Sequence, residues 1–246
     1  MKLPRTIFSL ALPLVLATGC GVETAHVSAH SQASADRLAA VLAQMDVASQ
    51  QFKNARADFT QDYYEAIVKD TTTEAGSIYF ERKGAAMQMG AFMVDPKTKA
   101  MDKVYEYKDG LFRMLDAHID QIRIVKPTSN QGQIETFLTL GMGASGKDLA
   151  RAWTITDQGP ETLTDNGQPV KTEKLDLVSK DPGVRNTLTH VTIWMDPARA
   201  VTLKQIFETP SHDRRTTVYS HIKLNTKIDA KSFELKKGSH TTVVGP

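Results

Sequence analysis

The run Asp58-Phe59-Thr60-Gln61-Asp62-Tyr63-Tyr64-Glu65-Ala66-Ile67-Val68-Lys69, a polar stretch from Asp70 to Ala75, and then Gly76-Ser77-Ile78-Tyr79-Phe80-Glu81-Arg82-Lys83-Gly84 decides how this chain reads. Both arms are rich in aromatic and β-branched residues, with Thr71-Thr72-Thr73 and Gly76 between them, which predicts two antiparallel strands joined by a turn in that polar stretch. Beyond Gly84, Ala85-Ala86-Met87-Gln88-Met89 alternates methionine with a polar residue. One face of that strand is therefore apolar and adaptable while the other can meet water, and a ligand is expected on the methionine face.

Working outward toward the N-terminus, Leu38, Val41, Leu42, Met45 and Phe52 recur at three- and four-residue steps. They predict an amphipathic helix with Ser34 as cap and Asp36 in its first turn, lying on one face of the sheet. Toward the C-terminus the strands continue. Asp109-Gly110 predicts a tight hairpin between Val104-Tyr105-Glu106-Tyr107 and Leu111 to Leu115, and Gln121 to Val125 is a further strand. Asn130 to Met142 and Gly146 to Trp153 carry helical spacing, with Gly141, Gly143 and Gly146 at the join. From Trp153 onward strands return, punctuated by Asp157-Gln158-Gly159-Pro160, Asp165-Asn166-Gly167, Asp181-Pro182-Gly183 and Asp196-Pro197. On the last of them, alternation puts Val218, Ser220, Ile222 and Leu224 on one side and Tyr219, His221 and Lys223 on the other. The pattern predicts a mainly β chain with helices, its antiparallel sheet strongly curved or partly closed into a barrel.

The chain has 246 residues, 30 basic and 28 acidic, and its cations are scattered, so composition gives no reason to bind nucleic acid. Lys2 and Arg5 precede an apolar stretch from Ile7 to Leu16, too short to span a bilayer as a helix. Leu16-Ala17-Thr18-Gly19 leads into Cys20, the single cysteine. This resembles the lipobox of bacterial lipoproteins, although Ala17 holds the place where leucine is favoured. The resemblance implies removal of residues 1–19 as a signal peptide and lipidation at Cys20. Gly21 to Ala33 is small and polar and reads as a flexible tether, reaching on the order of 20 Å, and residues 34–246 read as one domain.

The order of elements and several short strings resemble the lipoprotein-carrier family of LolA and its membrane-anchored relative LolB. They are Phe59-Thr60-Gln61, Gly76-Ser77-Ile78-Tyr79-Phe80-Glu81-Arg82, Lys108-Asp109-Gly110 and Ile228-Asp229-Ala230-Lys231-Ser232-Phe233-Glu234-Leu235. The resemblance implies an unclosed antiparallel half-barrel covered by the N-terminal helix and a helical lid, here Asn130 to Trp153, around a cavity for acyl chains. It implies cavity walls that include Met87, Met89, Met93, Met114, Phe137, Leu138 and Trp194, and a latch at Arg82 bonding carbonyls of the lid. Lys83 stands where the family favours proline. The family's anchored member carries an exposed leucine on a loop, whereas Asp95 to Asp102 offers only Met101, so the sequence supports binding more than delivery.

These readings together predict an envelope protein anchored through Cys20, facing the periplasm, and attached to the outer membrane because Gly21 is not the aspartate that retains some lipoproteins inside. Its expected partners are acylated lipoproteins or lipids and an inner- or outer-membrane protein, with no nucleic acid, cofactor or metal. A sensor module that binds mislocalised lipoprotein and a protein partner is the alternative; a carrier needs an open cavity, while a sensor could have a filled barrel. His190, His212 and His221 have no nucleophile motif beside them, so no enzyme is expected.

Overall fold

The computed structural model describes residues 23–84, 86–95, 97–125, 140, 142–229, 231 and 234–245, with side chains described from residue 32 onward. Helix α1 (Glu23–Gln51) leads into β1 (Asn54–Glu65), β2 (Asp70–Lys83), β3 (Ala86–Val94), β4 (Met101–Lys108), β5 (Leu111–Asp116) and β6 (Gln121–Val125). Helix α2 (Gly146–Ala152) precedes β7 (Trp153–Asp165) and β8 (Gln168–Ser179), and a single turn, α3 (Pro182–Arg185), precedes β9 (His190–Asp196), β10 (Val201–Glu208), β11 (Arg214–Leu224) and β12 (Thr242–Val244).

All twelve strands belong to one sheet, in the order β12-β6-β5-β4-β3-β2-β1-β11-β10-β9-β8-β7. The sheet is strongly curved and unclosed, a half-barrel. Every strand pair is antiparallel except β12 on β6. Sequence-adjacent strands pair throughout each half, and the long-range closure is β1 against β11, which joins the two halves.

Helix α1 lies in the concave face over the β7 to β10 half. Val41 and Met45 are buried there with Leu149 of α2 and with Leu175, Leu177, Val191, Ile193 and Met195 of the strands. Each fully buried side chain of this kind contributes about 1.5–3 kcal/mol. Arg37 anchors the same helix to β7 through a 2.6 Å ion pair with Asp157. The residues expected to form a flexible tether are helical from Glu23 onward. The reason is cooperativity: once the docked part beyond Ser34 supplies the nucleus, each further residue adds one hydrogen bond and no new nucleation cost.

Three other expectations change. The β1–β2 turn is Ala66 to Lys69, not Asp70 to Ala75. The three threonines pair within β2, as their branched side chains favour, and Lys69 takes the left-handed conformation, φ 55°. Asp157 to Pro160 does not end a strand. It is a bulge in continuous β7, with Gly159 at φ 97°. On β11 a register shift, with His221 at φ 53°, reverses the alternation, so Thr217 and Tyr219 share the concave face with Ile222 and Leu224. Among the described residues no helix is long and apolar enough to cross a membrane.

Candidate functional site

Alternation along β1 turns Ala55, Ala57 and Phe59 to the concave face, and their register partners Phe80 and Ile78 on β2 and Met89, Ala91 and Met93 on β3 continue that surface. Because α1 and α2 fill only the other half of the bowl, a cavity of about 440 Å³ remains over β1 to β5 and β10 to β11. Its walls are Phe59, Ile78, Phe80, Met89, Ala91, Met93, Tyr105 and Phe112, with Leu140 and Met142 from the segment before α2.

The cavity has two different ends. Near Arg82 the side chains of Phe80, Met89, Leu140 and Met142 are all buried. Toward the β1–β2 turn the lining becomes polar and partly exposed. Thr217 donates to Gln61 (3.2 Å), Gln61 donates to Glu74 (3.3 Å), and Lys103 donates to Glu74 and to Asp102 (3.2 Å each). This band crosses the sheet from β11 to β4 and forms the mouth. Burial works against the Lys103 ammonium, but its bonds to Asp102 and Glu74 outweigh that and hold its pKa above the usual lysine value. In the wall between the ends, Gln205 donates to the Tyr219 hydroxyl at 2.7 Å, and burial pushes the Tyr219 phenol up.

Arg82 extends from β2 at the closed end. Its guanidinium donates to the Ser49 carbonyl in the last turn of α1 (2.6 Å) and to the Gly143 carbonyl (2.7 Å), and it stands 5.4 Å from the centre of the Phe52 ring. Gly143, at φ 78°, is pressed against the same ring: a Cβ there would lie 2.4 Å from it. Arg82 thus ties strand, helix and the segment before α2 at the floor of the cavity.

Of the residues expected to line the cavity, Met89 and Met93 do. Met87 is buried on the same face but pairs with Arg82, beyond the floor. Met114 stands opposite Tyr105, half-buried and outside the lining. Phe137, Leu138, Cys20 and residues 130–139 and 141 of the expected lid lie outside the described residues. Trp194 is not a cavity residue. Val191, Ile193 and Met195 take the concave face, so alternation turns Trp194 away, where Lys174 and Lys204 stand 5.2 and 4.5 Å from its ring centroid and its indole N–H donates to Glu161. The sequence reading missed Phe59, Phe80 and Tyr105, which the period-two pattern would have found, and Tyr219, which the β11 bulge conceals.

The histidines do not converge. His190 meets Asp176 (3.1 Å), His212 meets Glu208 (3.3 Å) and His221 meets Asp58 (3.2 Å), each partly or largely exposed. Among the described residues no three His, Cys, Asp or Glu side chains are grouped to hold a metal ion.

No protein-family model matches the chain, and no curated protein matches it in sequence. Among solved structures, MucB shares its fold. MucB superposes with a TM-score of 0.51 at 11% identity over 85% of this chain and 66% of MucB, so this chain spans about two thirds of that protein. A putative outer membrane lipoprotein-sorting protein domain from Vibrio parahaemolyticus gives 0.43 at 12% identity, covering 78% of this chain and 94% of that one. The LolA superfamily protein NE2245 from Nitrosomonas europaea gives 0.38 at 11%, covering 80% and 96%.

Proposed function

We infer that this chain binds the acyl chains of a lipoprotein or another lipid in the concave cavity, as an envelope protein held to the outer membrane through Cys20 and facing the periplasm. The observation that carries the reading is the unfilled space of about 440 Å³, walled by aromatic and methionine side chains and polar at its mouth, inside a sheet whose other half is filled by α1 and α2. Cavities of roughly 300–1,000 Å³ are ordinary small-ligand sites. Flexible methionines and aromatic rings suit a ligand without fixed shape, and no covalent chemistry is called for. A sensor with a filled barrel would lack this space. Transfer to a membrane has its own support: the β1–β2 turn, on the mouth side, exposes Ile67 (87%) and Val68 (65%), aliphatic residues free to enter a lipid surface.

The test is native mass spectrometry of the full chain purified from a bacterial envelope, before and after addition of an acylated lipoprotein, beside Ala91→Trp, which fills the cavity, and Ala91→Phe should the larger residue impair folding. The expected result is an acylated Cys20 and an acyl ligand on the wild type, with ligand reduced at least tenfold in the filled variant. A chain that carries and takes up no acyl ligand, or takes it up equally in the filled variant, overturns the reading.

A further inference from the structure

The polar band at the mouth is internally satisfied, and the next rung outward is not. On β11, Arg215 follows Thr217 and Tyr219 onto the cavity side and stands opposite Tyr63 of β1. Its guanidinium lies 5.4 Å from the centre of the Tyr63 ring. The other cation of the mouth, Lys103, is neutralised by Glu74 and Asp102. Glu74 in turn has both oxygens engaged, one by Lys103 and one by Gln61. Among the described residues no carboxylate lies within ion-pair distance of Arg215. Tyr105 is part of the same lining, and its hydroxyl has no hydrogen-bond partner among the described residues. Burial pushes the Tyr105 phenol up, against the opposing charges of Lys103 and Arg215, so the hydroxyl keeps its proton and stays a donor.

Aliphatic walls grip a chain but cannot tell one headgroup from another, so discrimination must come from the mouth. We propose that the cavity takes an anionic acyl amphiphile tail-first and that Arg215 pairs with its oxyanion, a carboxylate or a phosphate, with the Tyr105 hydroxyl as a second donor. This deepens the acyl-chain reading above and rests on it. A guanidinium presents a planar fork of donors to an oxyanion, and Arg215 is exposed at the rim, where a headgroup left outside the cavity would meet it. The flat face of Arg215 stays on Tyr63 while its edge remains free for the ligand.

The experiment uses the delipidated full chain and displacement of a fluorescent fatty acid at pH 8, with myristate and the uncharged glyceryl monomyristate as probes of equal chain length. The wild type is expected to prefer myristate by roughly tenfold, the effect of one charge-assisted contact. Arg215→Gln should remove the preference and leave the affinity for the glyceride unchanged, and Arg215→Lys should restore part of it. Inorganic phosphate in millimolar excess should compete with myristate only if the free anion suffices without a chain; competition there would overturn the tail-first arrangement. Equal wild-type affinity for both probes, or equal loss of both in Arg215→Gln, overturns the headgroup role while leaving the cavity as an acyl site. Failure to bind either probe would overturn both readings.

Discussion

At the scale of single residues, Arg82 carries more of the structure than its position on a strand suggests. The last carbonyls of a helix have no partner within it, and Ser49 in the final turn of α1 finds one in the Arg82 guanidinium, which also serves Gly143. The backbone N–H of Arg82 adds a bond to Lys53. Arg82→Leu leaves both carbonyls without their charged donor and is expected to lower stability by about 2–4 kcal/mol, with Arg82→Lys losing roughly half as much. Urea unfolding reads the difference, and hydrogen exchange should report faster opening at Gly143, whose amide bonds to Ala200. A variant with an unchanged midpoint would remove the latch. The sequence indicated that this arginine ends a strand whose alternate residues face inward. The resemblance pointed to carbonyls of the segment that holds Gly143, but nothing in the sequence indicated the Ser49 carbonyl, 33 residues away, which is chosen by how α1 docks.

At the scale of elements, legibility follows turn chemistry. Asp109-Gly110 and Asn166-Gly167 fold as paired left-handed turns, φ 55° and 70° and φ 57° and 77°, because these residues tolerate that conformation and the strands' twist demands it. Bulges have no such signature. Gly159-Pro160 resembles a turn, and His221 resembles any exposed strand residue, yet one extra residue at each place changes which side chains reach the concave face. That is why Met89 and Met93 were found and Tyr219 was not. Contacts between helices are equally silent in sequence. Gly146 opens α2 against α1 so closely that a Cβ would lie 2.1 Å from the Leu42 carbonyl oxygen. Gly146→Ala must therefore push α2 outward and is expected to cost about 1–3 kcal/mol, as overpacking does. Thermal unfolding followed by the fluorescence of Trp153, buried at the junction of α2 and β7, checks it. A midpoint equal to the wild type would mean that the two helices have room to separate.

At the scale of the whole molecule, a sheet that does not close must protect two edges. On β7 the bulge and Pro160, which has no N–H to offer, interrupt the edge. On the opposite side the chain protects itself. After β11 it crosses the convex face, where Leu235 packs on Val104, Leu115 and Ile122, and its amide bonds to Glu106. Thr241 donates to the Asp120 carboxylate at 2.6 Å and accepts from the Gly238 amide, which aims Thr242 to Val244 along β6 in parallel register. Three exposed residues thereby cover the hydrogen-bonding edge of a strand that carries Ile122, Ile124 and Val125. Parallel pairing of so short a segment is weak by itself, and the bonds to Asp120 hold it in place. A chain ending at Thr241 keeps those anchors and loses only the cover, so it is expected to fold, to take up acyl ligand as the wild type does, and to self-associate through bare β6 edges. Sedimentation velocity over a tenfold concentration range reads this directly. A truncated chain that stays monomeric throughout would show that β12 is not what keeps the sheet from pairing, and an equal loss of ligand would tie the edge to the cavity despite the two strands between them and the nearest cavity-lining methionines on β3.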